Sequence, residues 1–401
     1  MTNVIGVILA GGAGKRLYPL TANQAKPAVS FAGQYRIIDF VLSNLYNSGF
    51  THLFALTQFK PENLHQHLTA YWQPYLADEG FIKICQTPHA QNTGTAGAVK
   101  QNLETILAAN PQAVIIVSAD HIYKMDYRQM LAFHQQKKAC LTIAAIAVPE
   151  HQAHHFGIIE TDDDNRMTAF IEKPQHPVKH IPGRPGYVLA SMGNYLFSAD
   201  GLRQALEDIP QTACCDFGHD IIPALYPHQP VYAYDFSTNQ LPVRYGISGY
   251  WRDVGTLDSY YQCQMDLLQH PGVLSLHNHK WPIHCAGQHR EDSNRIAASA
   301  KIQRSILGRH CHIGEHSYLE GVILGDNIQI EEDCSISDAI IDSDTHIAAG
   351  TQINPDRISS IPGAVRSEQG IIVIPQGSRI GFAAAPGKIP ATTWSRSFLL
   401  R

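Results

Sequence analysis

An apolar run that ends in a glycine-rich turn with two cations limits what this chain can fold into: Ile5-Gly-Val-Ile-Leu-Ala-Gly-Gly-Ala-Gly-Lys-Arg-Leu17. Ile5 to Ala10 is short, apolar and β-branched, which reads as a strand buried on both faces. Gly11, Gly12 and Gly14 let the backbone turn sharply and approach a ligand, since no Cβ stands in the way. Exposed N–H groups in such a turn can cradle phosphate oxygens, and Lys15 and Arg16 add positive charge there. The spacing is not that of a P-loop, because Leu9 and Arg16 stand where a Gly and a Ser or Thr are needed. It is not a dinucleotide fingerprint either, because Leu17 takes the place of the last small residue. Alone, the turn is equally compatible with a tight connection that binds nothing.

Composition excludes several classes. The 401 residues suffice for two domains. Hydrophobic residues make up 44% and charged residues only 16%, with a net charge of -5 and 22 histidines. A nucleic-acid binder carries a basic footprint, and none is present, so no nucleic-acid partner is expected. No apolar run is long enough to span a bilayer, and no basic segment precedes the first one. Neither a membrane partner nor a signal peptide is therefore expected. Eight cysteines without a CxxC pair suit reduced thiols and a cytoplasmic location.

Read in order, strands and helices alternate, the pattern of an α/β domain with a mostly parallel sheet. Strands are predicted at 52–57, 82–85, 113–120, 139–148, 188–197 and 231–236. Helices are predicted over 35–47, 94–109, 127–138 and 256–268, and a hairpin from 156–160 and 167–172. Asp120 ends a strand at the edge where open α/β sheets bind ligands, so it is either a metal ligand or a cap. Asp253 is a second carboxylate, in the tight turn Gly249-Tyr-Trp-Arg-Asp-Val-Gly255. Lys26 precedes Pro27, which holds it extended; it reads as a solvated lysine or as a cation reaching back to the glycine turn. Gly94 and Thr95 open a helix whose N-terminus can serve a phosphate or a sugar hydroxyl.

Residues 271–300 are irregular and suit a linker. His277, His279, His284, Cys285 and His289 within it fit no zinc spacing, and a surface loop is expected there. Beyond it a different rhythm begins. Ile328, Cys334 and Ile340 are six apart, as are Ile330 and Ile336, and Ile341, Ile347 and Ile353. Six-residue periodicity marks a parallel β-helix, whose coils bury their apolar faces by stacking. The phase slips between the series. The predicted division is a catalytic domain over 1–270, a linker over 271–300 and a β-helix over 301–401.

The stretches LAGGAGKRLYPLT, AKPAVSFAGQYRIIDFVLSN, SADHIYKMDY, AFIEKP, LASMGNYLF, DFGHDIIP, YWRDVGT and RSEQGIIV occur in that order over nearly the whole chain. With them the chain resembles the nucleotide-sugar pyrophosphorylases, and among these the branch that makes ADP-glucose for glycogen or another α-glucan. The resemblance implies a Rossmann-like nucleotidyltransferase domain followed by a left-handed parallel β-helix of hexapeptide type, usually assembled as a homotetramer. It implies ATP and glucose 1-phosphate as substrates and Mg²⁺ as cofactor. It implies that Gly11, Gly12, Gly14, Lys15, Arg16, Gln58, Gly94 and Thr95 bind the nucleotide. Arg16, Lys26, Asp120 and Asp253 would be catalytic, with the two aspartates holding Mg²⁺. Gly157, Glu172, Lys173, Ser191 and Asp216 would hold the sugar phosphate. All the charged groups of that scheme are present, so an active enzyme is expected rather than a regulatory subunit of the same fold.

Three places depart from the family pattern. The loop Gln86-Thr-Pro-His-Ala-Gln-Asn-Thr93 is short and Gly97 replaces a common polar residue, which leaves other nucleotides or hexose 1-phosphates open as substrates. The effector cations are replaced by Thr21-Ala-Asn-Gln24 and by Glu331-Glu-Asp-Cys-Ser-Ile-Ser-Asp338, whose carboxylates repel phosphate. A weak response to anionic activators is expected, although Arg36, Arg304, Arg309 and Arg366 remain. Finally, His219 stands where a lysine is often found, which predicts sensitivity to pH near neutrality.

Overall fold

The computed structural model describes residues 3–381 except 88–93, 177, 208, 210–213, 243–248, 271, 273, 277, 286–292, 355–360 and 362. The departing loop from residue 88 onward, two of the linker histidines (His277 and His289) and residues 382–401 of the predicted β-helix lie outside the described residues.

Strand Val4–Ala10 lies within a 9-stranded sheet, paired in parallel with His52–Thr57 on one side and Ala113–Ser118 on the other. Phe81–Gln86 extends the sheet beyond His52–Thr57, again in parallel. All but two of the nine strands run the same way. The exceptions are Tyr187–Ser198 and Met167–Glu172, which run against every strand they pair with. The sheet is therefore mostly parallel, as expected.

Burial on both faces explains why the first strand is apolar throughout. Val4, Ile8 and Ala10 pack with helices Ile37–Asn47 and Tyr127–Lys137. Ile5 and Val7 point the other way, toward helices Gly94–Gln101 and Ala199–Glu207. One predicted helix is broken: 94–109 divides into Gly94–Gln101 and Leu103–Leu107. Asn102, between them, turns its side-chain amide back onto the Ala98 carbonyl at 3.0 Å, competing with the helical backbone.

The C-terminal domain stacks parallel strands in coils, consistent with a left-handed β-helix. Arg295 pairs with His312, His312 with Gln329 and Gln329 with His346. Side chain to backbone bonds repeat at the same separation of 17 residues, as from Cys311 to Asn294 and from Cys334 to Ser317. A pure hexapeptide coil of three sides needs eighteen. The difference accounts for the slipping phase: the buried residues Ile313, Leu319, Leu324, Ile330, Ile336, Ile341, Ile347 and Ile353 advance by six, five, six and repeat. Only the last described step is longer, from His346 to Arg379 and from Ile340 to Val373.

The first coil strand, Arg295–Ile296, falls inside the stretch predicted as linker. Earlier in that stretch, residues up to Cys285 are bound to the catalytic domain. Trp281, Ile283 and Cys285 are buried. Lys124 donates to the carbonyls of Ser275 and Trp281 at 2.8 and 2.7 Å, and Asn47 to that of Pro282 at 2.8 Å. His284 lies in an aromatic cluster with Tyr46, Trp72 and Tyr75, and its Nδ1 meets the Tyr75 hydroxyl at 2.7 Å.

Helix Leu257–Gln269 joins the two domains. The Tyr260 hydroxyl donates to Ser30 O at 2.5 Å and that of Tyr261 to Gly321 O at 2.8 Å. Leu257 and Tyr260 share one apolar cluster with Ile323, Ile340 and Val373 of the β-helix.

Burial pushes the pKa of His284 down to about 4, below the 6.5 of a free imidazole. Between those values the unfolded chain binds a proton that the folded chain refuses. The stability this residue contributes is thus complete above pH 6.5 and lost toward pH 4. The melting temperature is expected to fall across that window, and less steeply in His284→Gln, as followed by thermal unfolding at half-unit pH steps.

Candidate active site

The central geometry comes from a strand pairing that joins two distant stretches. Asp120 follows strand Ala113–Ser118. The next residues, His121–Tyr123, pair antiparallel with Trp251–Asp253, setting His121 opposite Asp253. This brings both aspartates to one point. Between them sits Lys26, whose Nζ donates to Asp120 Oδ2 at 2.8 Å and to Asp253 Oδ1 at 3.2 Å. Lys26 is 5% exposed, so it is the cation reaching into the site and not a solvated surface residue. Burial opposes its charge, but the two carboxylates outweigh burial and raise its pKa. Burial likewise acts to raise the pKa of Asp120; Lys26, His121 and the Ser118 hydroxyl more than offset it and hold that carboxyl well below the usual range.

The glycine turn packs on this cluster. Gly14 has φ +57°, and a Cβ there would come 2.8 Å from the Lys26 Cβ, so the position needs glycine on both counts. The space over Gly12 is open, with no atom within 4 Å of where its Cβ would be. Leu17 buries itself beneath a short turn Lys15–Leu17, which leaves the Arg16 side chain 61% exposed with its Nη2 4.0 Å from Asp253 Oδ2.

A cavity of about 530 Å³ opens above these groups. Of the predicted nucleotide and catalytic residues, Gly11, Gly12, Gly14, Lys15, Arg16, Lys26, Gln58, Gly94, Thr95 and Asp120 line it, while Asp253 adjoins it behind Lys26 and Gly255. Thr95 and Asp216, expected to hold different substrates, hold each other: Asp216 Oδ1 accepts from Thr95 N at 2.8 Å and from its hydroxyl at 2.9 Å. The next two N–H groups of that helix donate to Cys215 O. These donors are thus satisfied by the protein itself.

Among the predicted sugar-phosphate residues only Asp216 lines this cavity. The others lie beside it. Glu172 pairs with Lys173 at 2.6 Å and fills the space over Gly218, while Phe170 with Glu172 fills that over Gly157. The Ser191 hydroxyl accepts from Gly193 N at 3.2 Å. Burial pushes the pKa of Tyr195 up to about 12, and the Glu172 and Asp216 carboxylates act in the same direction. His219 is exposed and bonds Asp220 at 2.8 Å, which raises its pKa above the ordinary value.

The family described as Nucleotidyl transferase matches residues 5–270, and a GlmU-like C-terminal hexapeptide family matches residues 293–374. The chain is 42% identical over 408 residues to a glucose-1-phosphate adenylyltransferase of Photobacterium profundum, covering 95% of this chain and 100% of the relative. It belongs to the glucose-1-phosphate adenylyltransferase family. A member from an Anaeromyxobacter species is 41% identical over 95% of this chain and 100% of its own. One from Corynebacterium jeikeium is 38% identical over 93% of this chain and 98% of its own.

Members of a nucleotidyl transferase family generally use a divalent metal. Asp120, His121 and Asp253 are, among the described residues, the group able to hold one, with ligand atoms all within 4.8 Å of one another. Paired carboxylates suit a hard cation. Ser118 and His121 were not singled out from the sequence. His121 directly follows Asp120 in SADHIYKMDY, but its place beside Asp253 depends on a long-range pairing that no local pattern announces.

Replacing Lys26 with Gln leaves two carboxylates facing each other without their shared cation. Folding is expected to weaken by roughly 3 kcal/mol in metal-free buffer, as loss of one partner of a buried ion pair does. Denaturant titration measures it, and an unchanged midpoint counts against the ion-pair assignment.

Proposed function

We propose that this protein transfers AMP from ATP to α-D-glucose 1-phosphate, forming ADP-glucose and pyrophosphate for glycogen or another α-glucan. The observation that carries the reading is the Lys26–Asp120–Asp253 cluster at the floor of the glycine-lined cavity, in a chain that matches adenylyltransferases over 95% of its length. A phosphate oxygen of the sugar phosphate attacks the α-phosphorus in line, and the bond to the β-phosphate breaks. Such transfers depend on positioning and charge neutralisation, with little covalent work for the protein.

The chain supplies both. The open face over Gly12 lets the triphosphate approach the backbone closely, and the exposed Arg16 neutralises the departing pyrophosphate, a role in which one good donor contributes about 3 kcal/mol. Lys26 steadies the reacting phosphate from below. Lys173 binds the sugar phosphate, while Gly157, Glu172, Ser191 and Asp216 face the hexose. Asp120 and Asp253 are the residues that would hold Mg²⁺, which when bound supplies charge neutralisation at the reacting phosphate.

We also divide the chain into a catalytic unit ending near 270 and a β-helix that assembles a homotetramer. Eight cysteines with no disulfide among them support a reducing, cytoplasmic setting.

Pyrophosphate release with Mg²⁺ and glucose 1-phosphate, run against ATP, UTP, GTP and dTTP, tests the reading. Release with ATP alone is expected. Release with another nucleotide keeps the chemistry and moves the substrate, and release with none overturns the reading.

The effector segment Glu331–Asp338 offers no cation among its own residues. Glu331 is engaged by His346 at 2.9 Å and by the Ala349 N–H at 2.9 Å. Fructose 1,6-bisphosphate at physiological salt is therefore expected to change the rate by less than about twofold, as surface charges screened over a Debye length bind phosphate poorly. Several-fold activation in the same assay contradicts this.

A further inference from the structure

We infer that His121 is a third protein ligand of the divalent cation at this site, bound through Nε2. The site then accepts manganese or cobalt more readily than two carboxylates alone would. The inference rests on the nucleotidyl-transfer reading and deepens it.

His121 is placed as a ligand and is bonded as nothing else. Its Nε2 lies 3.6 Å from Asp120 Oδ1 and 3.9 Å from Asp253 Oδ1. Both are too long for hydrogen bonds. Neighbouring ligand atoms of a divalent cation stand about 3 Å apart, so a shift of less than an ångström would bring His121 into that range of either carboxylate. The other ring nitrogen, Nδ1, is buried and has no hydrogen-bond partner. A buried polar atom left unpaired costs free energy, so this imidazole does not hold its place for the sake of the fold.

The ring is also held in direction. It packs edge-on against Trp251, centroid to centroid 5.0 Å, and Trp251 leans on Phe156 at 5.5 Å. Across the ring, a Cβ on Gly193 would be 3.7 Å from His121 Cε1. The pairing of His121 with Asp253 fixes its backbone. This packing does the orienting that a hydrogen bond on the far ring nitrogen usually does. The two oxygens of Asp120 are divided: Oδ2 goes to Lys26, while Oδ1, which accepts from the Ser118 hydroxyl, is the one that faces His121. An imidazole nitrogen is a softer donor than carboxylate or water, and it favours later divalent ions of the first transition row over magnesium.

Mn²⁺ is the probe, added to the full-length protein and followed by electron paramagnetic resonance. The expected result is a nitrogen hyperfine coupling on bound Mn²⁺ in the wild type. The coupling is expected to vanish in His121→Gln, with Mn²⁺ affinity reduced about tenfold and Mg²⁺ affinity, by competition, reduced less. Mn²⁺ that binds the wild type, is lost in Asp253→Asn and shows no nitrogen coupling overturns ligation by His121 and leaves the carboxylate site standing. Mn²⁺ that fails to bind the wild type, or binds Asp253→Asn equally, overturns both. The wild-type spectrum decides the point even if a variant folds poorly.

Discussion

One ammonium group shared by two carboxylates organises the catalytic half of this protein. Lys26 comes from the stretch after the glycine turn, Asp120 from a strand end and Asp253 from a short strand far along the chain. Like charges at that distance repel strongly where solvent is scarce, so the aspartates can converge only around a cation. The demand reaches outward. Gly14 must lack a side chain to let the turn rest on Lys26, and the short strands His121–Tyr123 and Trp251–Asp253 must pair. Each is a local choice that makes sense only in view of the ion cluster.

Much of this was legible in the sequence because it is written locally. The first strand announces itself by an unbroken apolar run, since both its faces are buried, and the glycine turn by its composition. Asp120 could be placed at a strand end by inspection. What could not be read was which distant residues meet. Nothing near Asp253 says that its partner is His121, and nothing near Thr95 says that Asp216 will cap it. Lys26 was ambiguous for the same reason, because burial is a property of the assembled fold. In the linker, histidines and prolines suggest a surface loop by composition, yet His284 is enclosed by tyrosines and a tryptophan.

The joint between the domains is built from the catalytic side. Helix Leu257–Gln269 begins four residues after Asp253 and carries Tyr260 and Tyr261 to different partners, Ser30 in the catalytic domain and Gly321 on the β-helix. Asp258, in its first turn, accepts from Gln369 N at 3.3 Å and bonds Ser367. The longer last coil step of the β-helix thus ends against the helix that follows a metal-ligand candidate. The same helix also holds Asp253, through the Ser259 hydroxyl that donates to its carbonyl.

The coil length has a consequence for how this domain can change over time. A repeat of 17 residues with sides of six, five and six puts its shortest side at the corner with Gly321, against which Tyr261 rests. Adding or removing one whole coil returns every later residue to the same side of the prism. A gain or loss of any other length turns all that follows by a fraction of a revolution and carries the catalytic-facing residues out to solvent. The domain is therefore free to lengthen or shorten only in whole coils, unless the extra chain is looped out.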